Sequence, residues 1–424
     1  VSANPVLLAA AAAAAIAGVL VLVLLFRWDG RWAVAAWTAT LFFVPVWVGV
    51  QAGIYITALT AITVVCILST AERGIRWVTA DTLMTILFAA ILVAFLVAGA
   101  TWGHVLDSLT GWLVPYVWGR LILNRANENW IAACISVAAL VAATLSIVEF
   151  LSGFNIFHLI PGAGSSNWGG QQIRAELPRS EGAFGHSIAL GGSLALASAF
   201  VLVVRWPVWA RAAALALIAT GAAFTFSRIG LIGLALTVVL SVVFLGRQLG
   251  RGVRIAASTI LGAGAVVALP FLVQVFGDAG SEAQGSAEYR LDLVPLVDLM
   301  VPLGLSPGRE VLATGEDYFG GFRSIDSALI LTGLRFGLVP LAIVVMLALL
   351  ALVVVLRGRG NPAAVAVVAQ LPALGTVALI TQYAVFVWFA AGLAVASYTL
   401  WWGRSKHPGT DHQVQPVREL TGVT

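Results

Sequence analysis

Thirteen apolar runs parted by polar breaks set the plan of this chain: 5–26, 33–50, 54–70, 78–99, 106–123, 130–151, 185–204, 208–226, 229–245, 255–275, 327–356, 363–379 and 383–402. Most approach the roughly 20 residues that a helix needs to cross a bilayer. In lipid such a run has to be helical, because only a helix pairs every backbone N–H and C=O within one segment. Gln51-Ala52-Gly53 is all that splits the second run from the third. The pattern predicts an all-α integral membrane protein with about 12–14 transmembrane helices. The first run has span length and no basic lead-in, so it reads as a span and not as a cleaved signal peptide.

Two polar stretches interrupt the pattern and divide the chain. Residues 1–151 hold the N-terminal spans, 152–184 a first outer loop and 185–276 the central spans. Residues 277–326 form a large outer loop, expected to contain short interfacial helices and the catalytic groups, and 327–402 the last spans. Residues 403–424 have no apolar face and read as a disordered cytoplasmic tail. Basic residues cluster at Arg27/Arg31, Arg73/Arg76, Arg120/Arg125, Arg205/Arg211, Arg247/Arg251/Arg254, Arg357/Arg359 and Arg404/Lys406. All of these fall on one side if thirteen runs cross, and the positive-inside rule makes that side cytoplasmic. Both polar stretches and the turn around His104 then face outward from a cytoplasmic (inner) membrane crossed many times.

Composition sharpens this. At 60% hydrophobic and 10% charged residues, the chain carries less than half the charge of a typical soluble protein. The net charge of +4 is small, and the basic residues form no stripe, which excludes a nucleic-acid partner. Cys66 and Cys134 are far apart inside apolar runs and read as buried packing residues. The five histidines are dispersed and no outer loop holds a paired-acid motif, so neither a metal nor a cofactor is expected. Trp28, Trp32, Trp102, Trp206, Trp209, Trp401 and Trp402 sit near run ends, where an interfacial aromatic belt accounts for them. No inverted repeat is visible, which argues against a secondary transporter.

Four places hold polar residues that ask for a reason. In PRSEGAFGHSIALGG, Arg179 precedes a glycine-rich turn and His186 opens an apolar run. Arg179 reads as a phosphate ligand or a surface arginine among headgroups, His186 as a ligand or a helix cap. In FTFSRIGLIG, Arg228 stands alone in a very short outer connection. A topology-setting arginine belongs on the cytoplasmic side, and lipid exposure of this one would cost a few kcal/mol, so it points to function. In EYRLDLVPLVDLM, Tyr289 and Arg290 begin a segment whose acids alternate with Leu and Val. An interfacial helix there would bury Leu291, Val294 and Met300 and wet the acids. In SIDSALILTGLRFG, Asp326 reads as an N-cap or as a carboxylate held at the mouth of the bundle to act as general base. Glu149 and Asp81 lie inside apolar runs, where an ionisable group is functional by default, although Asp81 is close enough to a run end to snorkel. Asp107 is a connection residue with no visible partner.

Three of these pieces, in this order, resemble the O-antigen ligase and O-antigen (exopolysaccharide) polymerase superfamily of polytopic glycosyltransferases. They are Arg179-x-x-Gly182-x-Phe184 before a run, Ser227-Arg228 at the end of the following run, and a long outer loop. That loop carries Arg290, then Pro302-Leu-Gly304-Leu-Ser-Pro-Gly308, then Asp326-Ser327 opening the following run. Ligases of the family typically have His-Asn at that last position; Asp is more like the polymerases.

The resemblance implies an enzyme that takes a glycan from undecaprenyl diphosphate at the outer leaflet and passes it to a glycan acceptor, in contact with membrane lipid. Asp326, Arg228 and Arg290 would be catalytic, with Arg174, Arg179, His186, Tyr289 and Arg323 binding substrate. A diphosphate leaving group gains negative charge as its glycosidic bond breaks, and arginine forks stabilise it without losing their proton. The leading expectation is a polymerase of lipid-linked repeats. The alternatives are a ligase that moves a finished glycan to a lipid, protein or wall acceptor, and a lipid or polysaccharide transporter with no chemistry.

Overall fold

The computed structural model describes residues 5–52, 54–70, 74–168, 170–174, 176–278, 289, 291–311, 317–322 and 324–406. In chain order, α1 (Pro5–Trp28) and α2 (Gly30–Phe43) lead into a hairpin of β1 (Gly49–Ala52) and β2 (Ile54–Thr57), then α3 (Ala58–Thr70). Next come α4 (Thr79–Val97), α5 (Trp102–Ser108), one π-helical turn (Leu109–Leu113), α6 (Val114–Leu121) and α7 (Glu128–Ser152). The first long connection holds α8 (Ser165–Trp168), β3 (Ile173–Arg174) and β4 (Leu177–Pro178). The central helices are α9 (Ser187–Val203), α10 (Val208–Ala223), α11 (Arg228–Phe244) and α12 (Gly246–Asp278). The second long connection holds a 3-10 segment (Val294–Leu299), β5 (Arg309–Val311) and β6 (Asp317–Phe319). Helices α13 (Ala328–Phe336), α14 (Leu338–Val354), α15 (Pro362–Ala369), α16 (Leu371–Thr376) and α17 (Thr381–Lys406) follow.

The described chain is mostly helical, and four of its helices are long and apolar enough to cross a membrane: Thr79–Val97, Glu128–Ser152, Leu338–Arg359 and Thr381–Leu400. Shorter apolar helices fill other runs, among them α3, α9, α10 and α11. Helix length and composition thus mark a membrane protein.

The bundle is built around α9. It is apolar on every side and buried along nearly its whole length, as a helix of that pattern has to be. Helices α7, α10, α11 and α15 pack around it. Small residues set the closest approaches, since lipid supplies no hydrophobic drive between helices. A Cβ on Gly191 would lie 2.8 Å from Thr225 Oγ1, and one on Gly230 3.0 Å from the Gly191 backbone, so α9 and α11 touch through glycine. Helices α6 and α17 meet likewise: a Cβ on Gly119 would lie 2.2 Å from the Phe389 carbonyl oxygen.

Cross-links sort the connections into two ends. Arg125 donates to the carbonyls of Ser69 and Arg27, and the Arg205 amide donates to Asn129, which gathers arginine-bearing connections at one end. At the other end Val46 N–H donates to Ala183 O, Gln382 to Val44 O, Leu305 N–H to Ala98 O and Ala328 N–H to Val377 O. The described parts of both long connections lie at this second end, the loop end.

Several runs depart from one unbroken helix each. Run 33–50 stops being helical at Phe43, and Gln51 and Ala52, from the break between the second and third runs, end strand β1 of the β1–β2 pair. Val48, Val50, Ile54, Tyr55, Ile56 and Thr57 are strand formers, and Pro45 blocks continuation of α2. Run 327–356 is two helices broken at Gly337, whose φ of +97° closes the helix cheaply only in glycine. Its first half, α13, runs across the loop end from the tip of α16 to the tip of α4. Of the interfacial helix expected over 291–300, residues 294–299 form a 3-10 segment. Leu293, Leu296 and Met300 are buried, whereas Leu291 and Val294 are 71% and 56% exposed. Pro295 sits in the first turn, and the three-residue period puts Leu293, Leu296 and Leu299 on one face. The acids Asp292 and Asp298 are exposed, as the pattern required.

Gly304 fastens the second long connection to the bundle. Its φ is +110°, and a Cβ would lie 2.4 Å from both Cβ and O of Ala98. Replacing it with valine is expected to cost about 3 kcal/mol by strain and overpacking. The check is a lowered thermal unfolding midpoint of the protein in detergent.

Candidate functional site

The Arg179-to-His186 stretch is not a surface turn. Ser180, Glu181, Ala183 and Phe184 are fully buried and Arg179 is nearly so. The turn is held from below by Glu149, whose carboxylate accepts from the amides of Glu181 (3.0 Å) and Gly182 (2.9 Å). The buried acid of α7 is therefore a clamp on this turn. Glu181 itself accepts from the Gln172 amide. Burial pushes its carboxyl up to about 7 against the pull of that amide, with the charge of Glu149 adding to the rise.

Arg179 Nε donates to Thr225 O at 3.0 Å, and Arg174 donates to Phe226 O at 3.0 Å. Both guanidinium groups thus converge on the short turn between α10 and α11. Phe226 takes a φ of +46° there, a conformation that costs a bulky residue energy and needs such support. Ser227 then caps α11 by accepting from the Gly230 amide, and Arg228 occupies the first helical position, exposed at the loop end. A cation in a first turn opposes the helix dipole, so Arg228 is not there to stabilise the helix. Dipole and guanidinium together favour an anion above this turn. His186 caps the neighbouring α9, its Nδ1 accepting from the Ile188 amide at 3.2 Å. Burial and the nearby Arg179 charge push its imidazole down to about 4, so it caps as the neutral ring.

Asp326 does not cap α13. Ser327 does, accepting from the Ile330 amide at 3.3 Å. The half-buried Asp326 carboxylate sits one residue outside the helix and accepts from Ser324 Oγ at 3.1 Å. Tyr289 is beside it: its hydroxyl donates to Ser324 O, and burial together with the Asp326 charge raises its pKa. The structure thus makes two groups. Arg174, Arg179, Arg228 and His186 surround the starts of α9 and α11; Asp326 and Tyr289 stand at the start of α13. Helix α16 packs against both α11 and α13 and lies between the groups. Arg290 and Arg323 lie outside the described residues.

Two charged sets at the loop end were not singled out in the sequence. His104 Nε2 donates to Asp317 at 2.5 Å and Arg309 Nε donates to the same carboxylate at 2.7 Å, tying the β5–β6 hairpin to α5. Burial alone would raise the Asp317 carboxyl, but the bonds from Arg309 and His104 outweigh it and hold it below the usual range. Burial and the charge of Arg335 push His104 down to about 4, against the pull of Asp317. Between about 4 and 6.5 the imidazole of the unfolded chain binds a proton that the folded one refuses, so the folded protein loses stability as pH falls through that window. The thermal unfolding midpoint in detergent is expected to fall on going from about pH 7 to about pH 5. His104→Gln should flatten that dependence.

The second set is Arg335 and Asp107, 3.8 Å apart. They line a cavity of about 370 Å³ at the loop end, between α3, α5, α13 and the start of α17. Arg335 interrupts an apolar run as conspicuously as Arg228 does, and that was its signal. Comparison with protein-family models, with curated proteins and with solved structures finds no match to this chain.

Proposed function

We propose that this chain is a polytopic membrane glycosyltransferase with about 12–14 spans, acting on lipid-linked oligosaccharides at its loop end, which faces outward from the cytoplasmic membrane. The observation that carries the reading is Asp326. Ser327 takes over the cap, so the carboxylate at the mouth of the bundle is not consumed in holding its helix. Across α16, Arg228 stands on a helix start where only an anion is favoured.

The chemistry follows. Asp326 accepts the proton of an acceptor hydroxyl as its oxygen attacks the anomeric carbon. The electron pair of the breaking carbon–oxygen bond leaves with the lipid diphosphate, and Arg228, with Arg290, compensates its growing charge. Arg174 and Arg179 hold the turn that presents Arg228, and His186 starts the helix beside it. Tyr289, beside Asp326, serves the acceptor side, and Arg323 stays a substrate-binding candidate from the sequence alone. The polymerase form of the reaction is preferred over the ligase form because the residue before Ser327 is an aspartate, which is more like the polymerases of the resembling family than the ligases.

Purified protein in proteoliposomes, given undecaprenyl-diphosphate oligosaccharides, should yield longer lipid-linked glycans on a gel with no second acceptor. Product that appears only when a second acceptor is added would make it a ligase. Movement of intact donor across the bilayer with no new glycosidic bond would leave a transporter.

A further inference from the structure

We propose that the cavity around Arg335 and Asp107 is a binding site for a neutral sugar residue. Its polar atoms are a balanced set. Arg335 Nε and Trp388 Nε1 are buried donors with no hydrogen-bond partner, Gln382 Oε1 is a buried acceptor with none, and Thr381 Oγ1 serves as either. Gln382 and Trp388 are 3% and 8% exposed, and all four residues line the cavity. An unpaired buried polar atom costs free energy, so four around one cavity point to a ligand that pairs them.

The balance selects the ligand class. An anion needs donors alone, as a carboxylate or phosphate oxygen can only accept. Here the Asp107 carboxylate, which lines the same cavity with its side chain 70% exposed, offsets part of the Arg335 charge. At 3.8 Å the two are too far apart for a hydrogen bond and leave room for a hydroxyl to accept from one and donate to the other. A sugar ring offers several such hydroxyls. Its C–H faces need apolar walls, and Trp112, stacked on Trp388 at 5.6 Å, and Trp168 supply them. Leu379 and Thr381 at the rim hold φ values of +49° and +58°, strain of the kind found at ligand clamps.

This site is separate from Arg228 and Asp326, and sugar binding stands whether or not transfer occurs there. The test is calorimetric titration of the full chain in lipid nanodiscs, free of maltoside detergent. Cellobiose, lactose and N,N′-diacetylchitobiose are the neutral probes; glucuronate and inorganic phosphate are the anionic ones. At least one neutral disaccharide should bind saturably, and phosphate should not compete. Arg335→Met and Thr381→Val should each weaken binding about tenfold or more. Thr381→Val, which is nearly isosteric, carries the test if the arginine variant does not fold. Tighter binding of glucuronate or phosphate, no saturable heat with any neutral probe, or unchanged affinity in the folded variants overturns the inference. Sugar binding without gel-shifted product would sink the transferase reading and leave this one intact.

Discussion

Asp326→Ala is expected to slow glycan transfer by about 10²–10⁴-fold, the range set by loss of a general base. Arg228→Ala is expected to slow it by about 10²–10³-fold, the range for removing one donor to a developing charge. Neither change should disturb the fold. Arg228 is exposed on the first turn of α11, where losing a cation relieves its opposition to the helix dipole. Asp326 lies outside the capped helix, and its one described hydrogen bond comes from the neighbouring Ser324 hydroxyl. Ser327→Ala makes the contrast. It removes the cap of α13 and should cost about 1 kcal/mol of stability. Initial rates with a lipid-linked oligosaccharide, measured beside thermal unfolding of each variant, separate the roles. A wild-type rate in folded Asp326→Ala would remove the base from the mechanism.

What the sequence could reveal followed from what lipid enforces. The apolar runs are visible because each has to satisfy its own backbone, and the structure places helix on nearly every described one. The exceptions are places where the loop end takes over. There Phe43 hands the chain to a hairpin and Gly337 bends a run into two helices, since water and packing relax the all-helix rule. Single ionisable residues stood out, yet their partners did not. Glu149 clamps the turn after β4, Asp81 pairs with Arg120, and His104 holds Asp317. Each pair joins elements distant in sequence, so no spacing could disclose it. Asp326 shows the limit at one residue: both Asp and Ser cap well, and only the coordinates decide that Ser327 does so.

Arg120→Met is expected to destabilise the protein by about 3–5 kcal/mol, because it strands a buried carboxylate. Asp81 and Arg120 have side chains 3% and 2% exposed. Arg120 Nε donates to Asp81 Oδ1 at 2.8 Å and its terminal nitrogen to Oδ2 at 3.0 Å and to Arg76 O at 2.7 Å. Tyr116 also donates to Asp81 at 2.8 Å, and Asp81 takes the Val78 amide at the start of α4. The pair therefore fastens α4, which packs on α14, to α6, whose backbone is locked against α17 through Gly119 and Gly392. Removing both charges in Asp81→Asn/Arg120→Met should recover much of the loss, since an unpaired buried charge is worse than none. A double-mutant cycle on unfolding in detergent measures the coupling, and additivity of the two single changes would show that the pair does not hold the helices together.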